Sequence, residues 1–377
     1  MMAARIKKVE VYGVEVPLVG AGFKNAYITK TKQRSAVVRI TDESGQVGLG
    51  NIDPSPGYSV ETIEQSLETL ASVLAPAALG QDPENIHVLT AHLDAQISQF
   101  LDAKAAIEMA ATDLLGKRHK RCVSSMLGGS FLREVEFNAW IGIVSPEEAA
   151  TEAKRWYDAG WRSAKVKIGG DIHADRERVA AVRKATSPNF KIRVDANAGY
   201  SVEQAIALGK MLEPYQLELM EQPVAAHDFE GLRAVKDAVK IPIMADESIT
   251  DFQDLIRIIE LQAADIVKLK VMKQGGFLRT SRMMATAEAA GLGIVIGHGF
   301  GLGINTMAEI LLASTSKAVL SGLECVGPIK TTDDIVKHKL DLSTGRLTIP
   351  HGHGHGIGVE LDEEKLQRFR FFENVAI

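Results

Sequence analysis

Three segments decide the fold of this chain: KIRVDAN at residues 191–197, LELMEQP at residues 217–223 and IPIMADES at residues 241–248. Each is a short apolar run that ends in acidic or amide residues, and helical patterns such as Val202–Leu212 lie between them. This alternation is typical of parallel strands that are joined by right-handed helical crossovers. We therefore expect an α/β fold whose chemistry lies at the carboxyl ends of the strands.

The alternation extends along the chain in both directions. Five further strand candidates are VEFNAWIGI from Val135, SAKVKIG from Ser163, DIVKLKV from Asp265, GIVIGHG from Gly293 and GLECV from Gly322. Eight strand–helix units predict a closed (β/α)8-type barrel. A doubly wound open sheet is the alternative, but it often carries a glycine-rich phosphate loop after its first strand. Neither GxGxxG nor GxxxxGK[ST] occurs in this sequence.

The part of the sequence before the barrel follows another pattern. Strand-like alternation from Ile6 to Leu18 and a hairpin signal from Ser35 to Gly48 come first. Helical patterns follow at Ser59–Leu74, Pro83–Ile97 and Leu101–Lys117, and we expect Ser59 and Glu61 to cap the first of them. The sequence thus predicts an α+β capping domain at 1–130, a barrel with the active site at 131–346, and a segment at 347–377 that returns to the capping domain.

Composition excludes several classes of protein. The chain has 377 residues of which 46% are hydrophobic, so it can bury a large core and is not disordered as a whole. Its net charge of −5 and the lack of a basic cluster exclude a nucleic-acid partner, and its apolar runs are too short for a membrane span. Two cysteines and an N-terminal segment without an apolar signal core indicate a cytoplasmic protein.

Three carboxylates recur at one position of successive units. Asp195, Glu221 and Asp246 end three neighbouring strands, at intervals of 26 and 25 residues. Because adjacent strands lie about 4.8 Å apart, we expect these side chains to converge on one point, where they would repel each other without a cation. An all-oxygen site predicts Mg²⁺, with Mn²⁺ as a second possibility. The alternative is that each acid caps a helix or forms an ion pair in its loop.

Lysines flank the three acids along the chain. Lys167 lies one unit before them and Lys270 one unit after, which in a closed ring places the two ammonium groups on opposite sides of the acids. Such a pair can transfer protons on either face of a substrate carbon, and nearby cations would lower the lysine pKa. Lys165 and Lys268 share a face with Lys167 and Lys270, and we interpret them as supporting residues or carboxylate anchors. Alternatively, the lysines simply neutralise the acids.

Taken in order, these motifs resemble the enolase superfamily, and within it the muconate-lactonizing (muconate cycloisomerase) branch of the mandelate racemase/muconate-lactonizing enzyme family. The motifs are KVK at Lys165–Lys167, VDAN at Val194–Asn197, EQP at Glu221–Pro223, ADES at Ala245–Ser248 and KLKVMKQGG at Lys268–Gly276. The resemblance covers nearly the whole chain. It implies Mg²⁺ on Asp195, Glu221 and Asp246, acid–base catalysis by Lys167 and Lys270, and specificity set partly by loops of the capping domain.

Further candidates complete the predicted site. Asn197 and Glu247 stand beside metal-ligand candidates, Glu324 ends the eighth strand, and Tyr58 belongs to a loop, IDPSPGY, that could close over the site. We interpret all four as substrate-binding or supporting residues. His298 lies near the catalytic histidine position of the mandelate racemase branch, but strand 6 carries a lysine. We therefore interpret His298 as substrate-binding or polarising; a structural histidine and a catalytic one are the alternatives.

The expected activity is Mg²⁺-dependent abstraction of the proton α to a carboxylate through a metal-stabilised enediolate. Racemisation, epimerisation or cycloisomerisation of a small-molecule carboxylate would follow, and the alternative on the same scaffold is dehydration of a hydroxy acid or hydroxyproline. Cys325-Val326-Gly327-Pro328 replaces the aspartate pair that dipeptide epimerases carry after strand 8, which disfavours dipeptides. Distant alternatives are a Schiff-base lysine aldolase or hydrolase and a non-catalytic binding barrel. We expect a homo-oligomer.

Overall fold

The computed structural model describes residues 4–20, 22–24, 29–57, 59–349 and 354–377. Its strands are β1 (Ile6–Pro17), β2 (Phe23–Lys24), β3 (Thr29–Lys30), β4 (Lys32–Asp42), β5 (Val47–Ile52), β6 (Glu134–Glu136), β7 (Ala139–Ile141), β8 (Ser163–Lys167), β9 (Lys191–Asp195), β10 (Leu219–Glu221), β11 (Ile243–Ala245), β12 (Ile266–Leu269), β13 (Gly293–Ile296), β14 (Arg346–Thr348) and β15 (Arg370–Ala376). Its α-helices are α1 (Ile63–Thr69), α2 (Ala75–Ala78), α3 (Ile86–Gln96), α4 (Leu101–Arg118), α5 (Val123–Met126), α6 (Pro146–Asp158), α7 (Ile172–Ala185), α8 (Val202–Leu212), α9 (Phe229–Ala238), α10 (Phe252–Leu261), α11 (Phe277–Ala289), α12 (Gly303–Ala313), α13 (Gly327–Lys330) and α14 (Glu363–Phe369).

An antiparallel four-stranded sheet, in the order β15-β1-β4-β5, forms the first layer of the structure. Valines and isoleucines of β1 and β4 are buried on it, as their strand-like alternation predicts. Helix α4 packs on β5, where Gly48 and Gly50 leave room for its backbone: a Cβ at Gly50 would lie 1.9 Å from the carbonyl oxygen of Ala106. The close approach of helix and sheet therefore depends on these glycines.

The second unit is a curled parallel sheet of seven strands, in the order β13-β12-β11-β10-β9-β8-β7. The predicted eighth strand, GLECV from Gly322, is not a regular strand; residues 319 and 323 form single parallel bridges to the two ends of this sheet. Val319 bridges to Ile294 next to β13, and Leu323 bridges to Phe137 next to β7. The amide of Glu324 donates to the carbonyl of Ile296 at 3.0 Å. This segment therefore connects the two edges of the sheet.

Two further predicted elements differ from the observed ones. The run VEFNAWIGI is divided between β6 and β7, because β6 pairs antiparallel with β14 while β7 pairs with β8. The first helix begins at Ile63, so Ser59 and Glu61 do not cap it. Its N-cap is Thr62, whose hydroxyl accepts from the amide of Gln65 while the Gln65 side chain accepts from the amide of Thr62.

No helix in the ranges that the structure describes is both long and apolar enough to cross a membrane. Tyr58 lies outside the described residues.

Candidate active site

The polar strand ends line one cavity at the carboxyl side of the parallel sheet. Ten of the predicted site residues contribute to its wall: Lys165, Lys167, Asp195, Asn197, Glu221, Asp246, Lys268, Lys270, His298 and Glu324. Their convergence follows from register, since Lys167 pairs with Asp195, which in turn pairs with Glu221. The structure does not bring Glu247 to the described wall of the cavity. Its Oε1 instead accepts from Nδ2 of Asn197 at 3.0 Å.

The three acids are buried, and each neighbouring pair shares a lysine. The ammonium of Lys165 lies 3.3 Å from Asp195 and 3.2 Å from Glu221. The ammonium of Lys268 lies 2.9 Å from Glu221 and 3.7 Å from Asp246. Burial at this depth favours the neutral acid, so the bound ammonium groups are what permits several charged carboxylates here.

Asp195, Glu221 and Asp246 line one cavity, and their role as metal ligands stays a prediction. Among the residues that the structure describes, no three acidic, histidine or cysteine side chains are arranged to hold a metal ion. Lys165 and Lys268 each contact two of the carboxylates. The donor set nevertheless fits a hard divalent ion, because Asp195, Glu221 and Asp246 are buried oxygen donors that already share cations pairwise.

Lys167 and Lys270 contact the two outer acids. Nζ of Lys167 donates to Asp195 at 2.5 Å and to Oδ1 of Asn197 at 2.7 Å. Nζ of Lys270 donates to Oδ1 of Asp246. Burial lowers the pKa of Lys270 to about 8. The attraction of Asp246 raises this pKa, but desolvation and the repulsion from neighbouring lysines together outweigh it. In the order of the strands, Lys167 and Lys270 lie on opposite sides of Glu221.

Glu324 lies in the segment that joins the two edges of the sheet, and it binds three cations. Its Oε2 accepts from Lys165 and from Lys268, both at 2.5 Å, and its Oε1 accepts from Arg193 at 3.2 Å. Burial raises the pKa of Glu324, but these cations hold it well below its usual range. Glu324 thus fixes Lys165 and Lys268 in place and remains a charged carboxylate.

His298 is enclosed by two carboxylates. Its Nε2 lies 2.8 Å from Asp53 and its Nδ1 lies 2.8 Å from Glu309, with no exposed side-chain area. Burial lowers the pKa of His298, but the two acids raise it to about 10, so the ring is an imidazolium at neutral pH. Both ring nitrogens are engaged by protein groups. Direct contact of His298 with a substrate stays a prediction, as does the role of Tyr58.

Several residues of the site were not predicted. Lys273 donates to the carbonyl oxygen of Asp246 at 2.8 Å, and Arg193 anchors Glu324. The sequence held a signal for both: Lys273 lies three residues after Lys270, and Arg193 shares a strand face with Asp195. Asp53 lies in the loop IDPSPGY that was expected to close over the site, but its contact with His298 joins distant parts of the chain; Glu309, 11 residues after His298, carried no signal.

Two family models match most of the chain. Residues 148–365 match the model described as enolase C-terminal domain-like. Residues 8–128 match the model of the mandelate racemase / muconate lactonizing enzyme N-terminal domain. The two matches together span both units of the structure.

Curated relatives align over nearly the full length of the chain. The N-succinyl-L-Arg/Lys racemase of Bacillus cereus is 30% identical over 374 residues, which covers 99% of this chain and 100% of that protein. The hydrophobic dipeptide epimerase of Enterococcus faecalis is 35% identical over 294 residues, which covers 78% of this chain and 82% of that protein. These relatives are named as isomerases.

Solved structures share the fold. The N-succinyl Arg/Lys racemase from Bacillus cereus superposes with a TM-score of 0.95 at 28% identity, covering 99% of this chain and 100% of that one. A dipeptide epimerase from Cytophaga hutchinsonii, complexed with Mg and D-Ala-L-Val, gives 0.92 at 27% identity, covering 98% and 99%. A muconate lactonizing enzyme from Pseudomonas fluorescens, complexed with muconolactone, gives 0.91 at 30% identity, covering 98% and 100%. The predicted fold class is confirmed.

Proposed function

We propose that this chain, which belongs to the mandelate racemase/muconate lactonizing enzyme family, is a Mg²⁺-dependent isomerase acting on a small-molecule carboxylate. The reaction we propose is removal of the proton α to that carboxylate, followed by its return on the other face. One observation carries the proposal: Lys167 and Lys270 contact the outer two of three buried acids, Asp195 and Asp246, on either side of Glu221.

Asp195, Glu221 and Asp246 would hold the metal ion. Support comes from their burial, from their oxygen donors and from the cations that they already share. A divalent ion at these residues supplies Lewis-acid stabilisation of the negative charge that develops on the substrate carboxylate. Magnesium in a related dipeptide epimerase structure supports the choice of Mg²⁺.

The protein groups divide the remaining tasks. Lys167 and Lys270 exchange protons with the substrate carbon from opposite sides, each oriented by its own aspartate, and Asn197 accepts a second hydrogen bond from Lys167. Lys165 and Lys268 stay protonated, because Glu221 and Glu324 raise the pKa of both against the effect of burial. They are therefore electrostatic supports, whereas Lys167 and Lys270 are the acid–base pair.

Racemisation or epimerisation is the form of the reaction that we favour over cycloisomerisation or dehydration. Proton removal on one face of the carbon and its return on the other face require a lysine on each side of the acids. Cycloisomerisation and syn elimination need a proton transfer on one face only, whereas an anti elimination would use the second lysine to protonate the leaving group.

Proton NMR in D₂O tests the proposal. The purified enzyme is incubated, with Mg²⁺ and separately with EDTA, with N-acylamino acids, proline derivatives, dipeptides, muconolactones and sugar acids. We expect metal-dependent loss of an α-proton signal from both enantiomers of one substrate class. New vinylic or lactone signals would replace racemisation by elimination or cycloisomerisation. If Mg²⁺ produces no exchange with any class, the proposed chemistry is wrong for these substrates.

The division into a capping domain (1–130), a barrel (131–346) and a returning segment (347–377) stays our proposal as well. Pairing of β15 with β1 supports the return of the C-terminal segment to the first sheet. The first residues of this segment, Leu347 and Thr348 of β14, pair instead with β6 near the start of the barrel.

A further inference from the structure

The turn between β12 and α11 holds Asp246 through one of its lysines. Nζ of Lys273 donates to the carbonyl oxygen of Asp246 at 2.8 Å and lies 3.4 Å from Oδ1 of the same residue. Lys273 is buried, with 3% of its surface exposed. One ammonium group therefore contacts both the main chain and the side chain of Asp246, and such a contact restricts the rotation of the carboxylate.

The turn is itself anchored to the loop that follows β11. Oε1 of Gln274 accepts from the amide of Lys270 at 2.7 Å, and Nε2 of Gln274 donates to the carbonyl oxygen of Ile249 at 3.2 Å. Gln274 thereby ties Lys270, the first residue after β12, to the loop that Asp246 begins. The backbone that carries Lys273 is therefore fixed relative to both Lys270 and Asp246.

The two outer acids of the site are held in different ways. The amide of Asn197 donates to Oδ1 of Asp195 at 2.9 Å, so the main chain orients that carboxylate. Within the residues that the structure describes, the carboxylate of Asp246 is contacted by three ammonium groups and by no main-chain amide: those of Lys268, Lys270 and Lys273. The orientation of Asp246 thus depends on lysines.

Lys273 is placed to act on Asp246 and not on a substrate. The described wall of the active-site cavity contains Lys268 and Lys270 but not Lys273. Lys273 instead lines a separate cavity, to which Asp102 at the start of α4 also contributes. Its ammonium group therefore reaches the active site through Asp246.

We propose that Lys273 is a positioning residue, which holds the carboxylate of Asp246 so that Oδ1 faces Lys270 and thereby places Lys270 for proton transfer on its own face of the substrate carbon. The inference rests on the proposed function, which makes Lys270 one of the two acid–base groups. The described hydrogen bonds and ion pairs of Lys273 include neither Lys167 nor Asp195. Loss of Lys273 should therefore affect one face of the reaction and leave the other.

Proton exchange measured for each enantiomer tests this role. Exchange of the α-proton in D₂O is followed by NMR for each pure enantiomer at saturating Mg²⁺, and Lys270→Ala identifies the enantiomer that depends on Lys270. We expect Lys273→Met to slow exchange of that enantiomer by about 10–100-fold, because a displacement of about 1 Å costs up to about 100-fold in rate. Exchange of the other enantiomer should change little. Lys273→Arg, which keeps the charge and the donors, should restore part of the lost rate.

Equal losses for the two enantiomers, or no loss for either, would overturn the proposal. Lys236→Met is the matched control, because Lys236 of α9 also donates to a main-chain carbonyl, that of Gln262 at 3.0 Å, and lies 3.5 Å from the carboxylate of Asp265. It should leave both exchange rates unchanged. Circular dichroism verifies the fold of each variant. If Lys273→Met does not fold, Lys273→Gln replaces it, with a smaller loss expected for the same enantiomer.

A crystal structure of the Lys273 variant tests the positioning without a substrate. We expect the carboxylate of Asp246 to lose its contact with Lys270 or to occupy more than one conformation, while the contact of Asp195 with Lys167 is retained. An unchanged contact between Asp246 and Lys270 would contradict the proposal. If the wild type exchanges neither enantiomer, the proposed function fails, and the crystal structure still supports or contradicts the role of Lys273. Exchange in the wild type with equal losses in the variant leaves the proposed function intact and overturns the positioning role alone.

Discussion

Asp246 shows how much positive charge a single buried acid binds in this site. Lys270 donates to its carboxylate, Lys273 lies 3.4 Å from the same oxygen and Lys268 lies 3.7 Å from the other. Burial raises the pKa of Asp246, but these three ammonium groups hold it well below its ordinary value. Removing the acid would leave three buried lysines without that charge, so Asp246 is at once a ligand candidate and a structural requirement.

The two lysines of the acid–base pair have separable roles. Since Lys167 and Lys270 lie on opposite sides of the acids, we expect Lys167→Ala to lose α-proton exchange with one enantiomer and Lys270→Ala with the other. The expected loss is about 10²–10⁴-fold, and racemisation is lost in both variants. Exchange of each enantiomer in D₂O is followed by proton NMR.

Lys154→Ala is the control for this experiment, because Lys154 pairs with Asp158 on the exposed face of α6 and is 64% exposed. Circular dichroism and thermal unfolding verify the fold of each variant. Full activity of Lys270→Ala would contradict the two-base assignment.

His298 makes stability depend on pH. Its pKa is about 10 in the folded protein and about 6.5 in an unfolded chain, so its contribution is complete below about pH 6.5 and is lost as pH rises through 10. The difference between the two pKa values corresponds to at most about 5 kcal/mol. We expect the free energy of unfolding of the wild type to fall towards that of His298→Gln between pH 6.5 and 10. Urea denaturation across this range measures the difference.

His173→Gln serves as the control, since His173 lies exposed near the start of α7. It should leave the pH profile of the wild type unchanged. If wild type and His298→Gln differ by the same amount at pH 6.5 and pH 10, the imidazolium between Asp53 and Glu309 does not exist.

The sequence predicted those site residues whose position follows from strand alternation. Asp195, Glu221 and Asp246 end neighbouring strands, so the fold alone brings them together. Asp53 and Lys330 could not be predicted in this way. Their neighbours, His298 and Phe300, lie far away in sequence, and loop conformation decides whether such groups meet.

At the scale of single elements, the predicted helices exist, but the first two begin later than expected, at Ile63 and Ile86 and not at Ser59 and Pro83. We expected Ser59 and Glu61 to begin the first helix, although Thr62, one residue further on, is also of a type favoured at N-caps. The helix begins after Thr62 because Thr62 and Gln65 form a capping box. Glu61 instead accepts from the amides of Asp102 and Ala103 at the start of α4. A residue predicted to begin one helix thus caps another, which local sequence cannot reveal.

The contact of β5 with α4 has little tolerance for added volume. We expect Gly50→Ala to lower the free energy of unfolding by about 1–3 kcal/mol, because the new methyl group would meet the carbonyl of Ala106 and force helix and strand apart. Urea denaturation measures the change. In Gly170→Ala, the control, the nearest atom lies 3.9 Å away, in Asp175. Equal stability of the two variants would show that α4 can shift without cost.

At the scale of the whole molecule, polar contacts connect the two units near the cavity. Asp53, which follows β5, accepts from Asn305 of α12 at 2.8 Å and contacts His298. Glu108 of α4 accepts from the amides of Phe277 and Leu278 at the start of α11, at 2.8 and 2.9 Å. The first unit therefore caps a barrel helix and encloses a barrel histidine, so its position relative to the site is fixed by hydrogen bonds.

The C-terminal strand is expected to stabilise the first sheet. A variant that ends at Phe369 loses the six residue pairs between β15 and β1. We expect its free energy of unfolding to fall by about 2–5 kcal/mol, since each hydrogen bond contributes about 0.5–1.5 kcal/mol. Thermal and urea unfolding measure the loss. A variant that ends at Ala376, and so lacks the 82% exposed Ile377, should match the wild type. Equal stability of both truncations would contradict this role for β15.

The pairing of Val9 with Ala376 has a consequence for biosynthesis. A ribosome adds about 5–20 residues per second, so β1 emerges roughly 20–70 seconds before its edge partner. During that time β1 pairs with β4 on one side, while its other edge is open to neighbouring nascent chains. Joining the two termini and opening the chain in an exposed barrel loop would make β15 and β1 consecutive. Such a circular permutant would complete this sheet early in translation and shorten the time for aggregation.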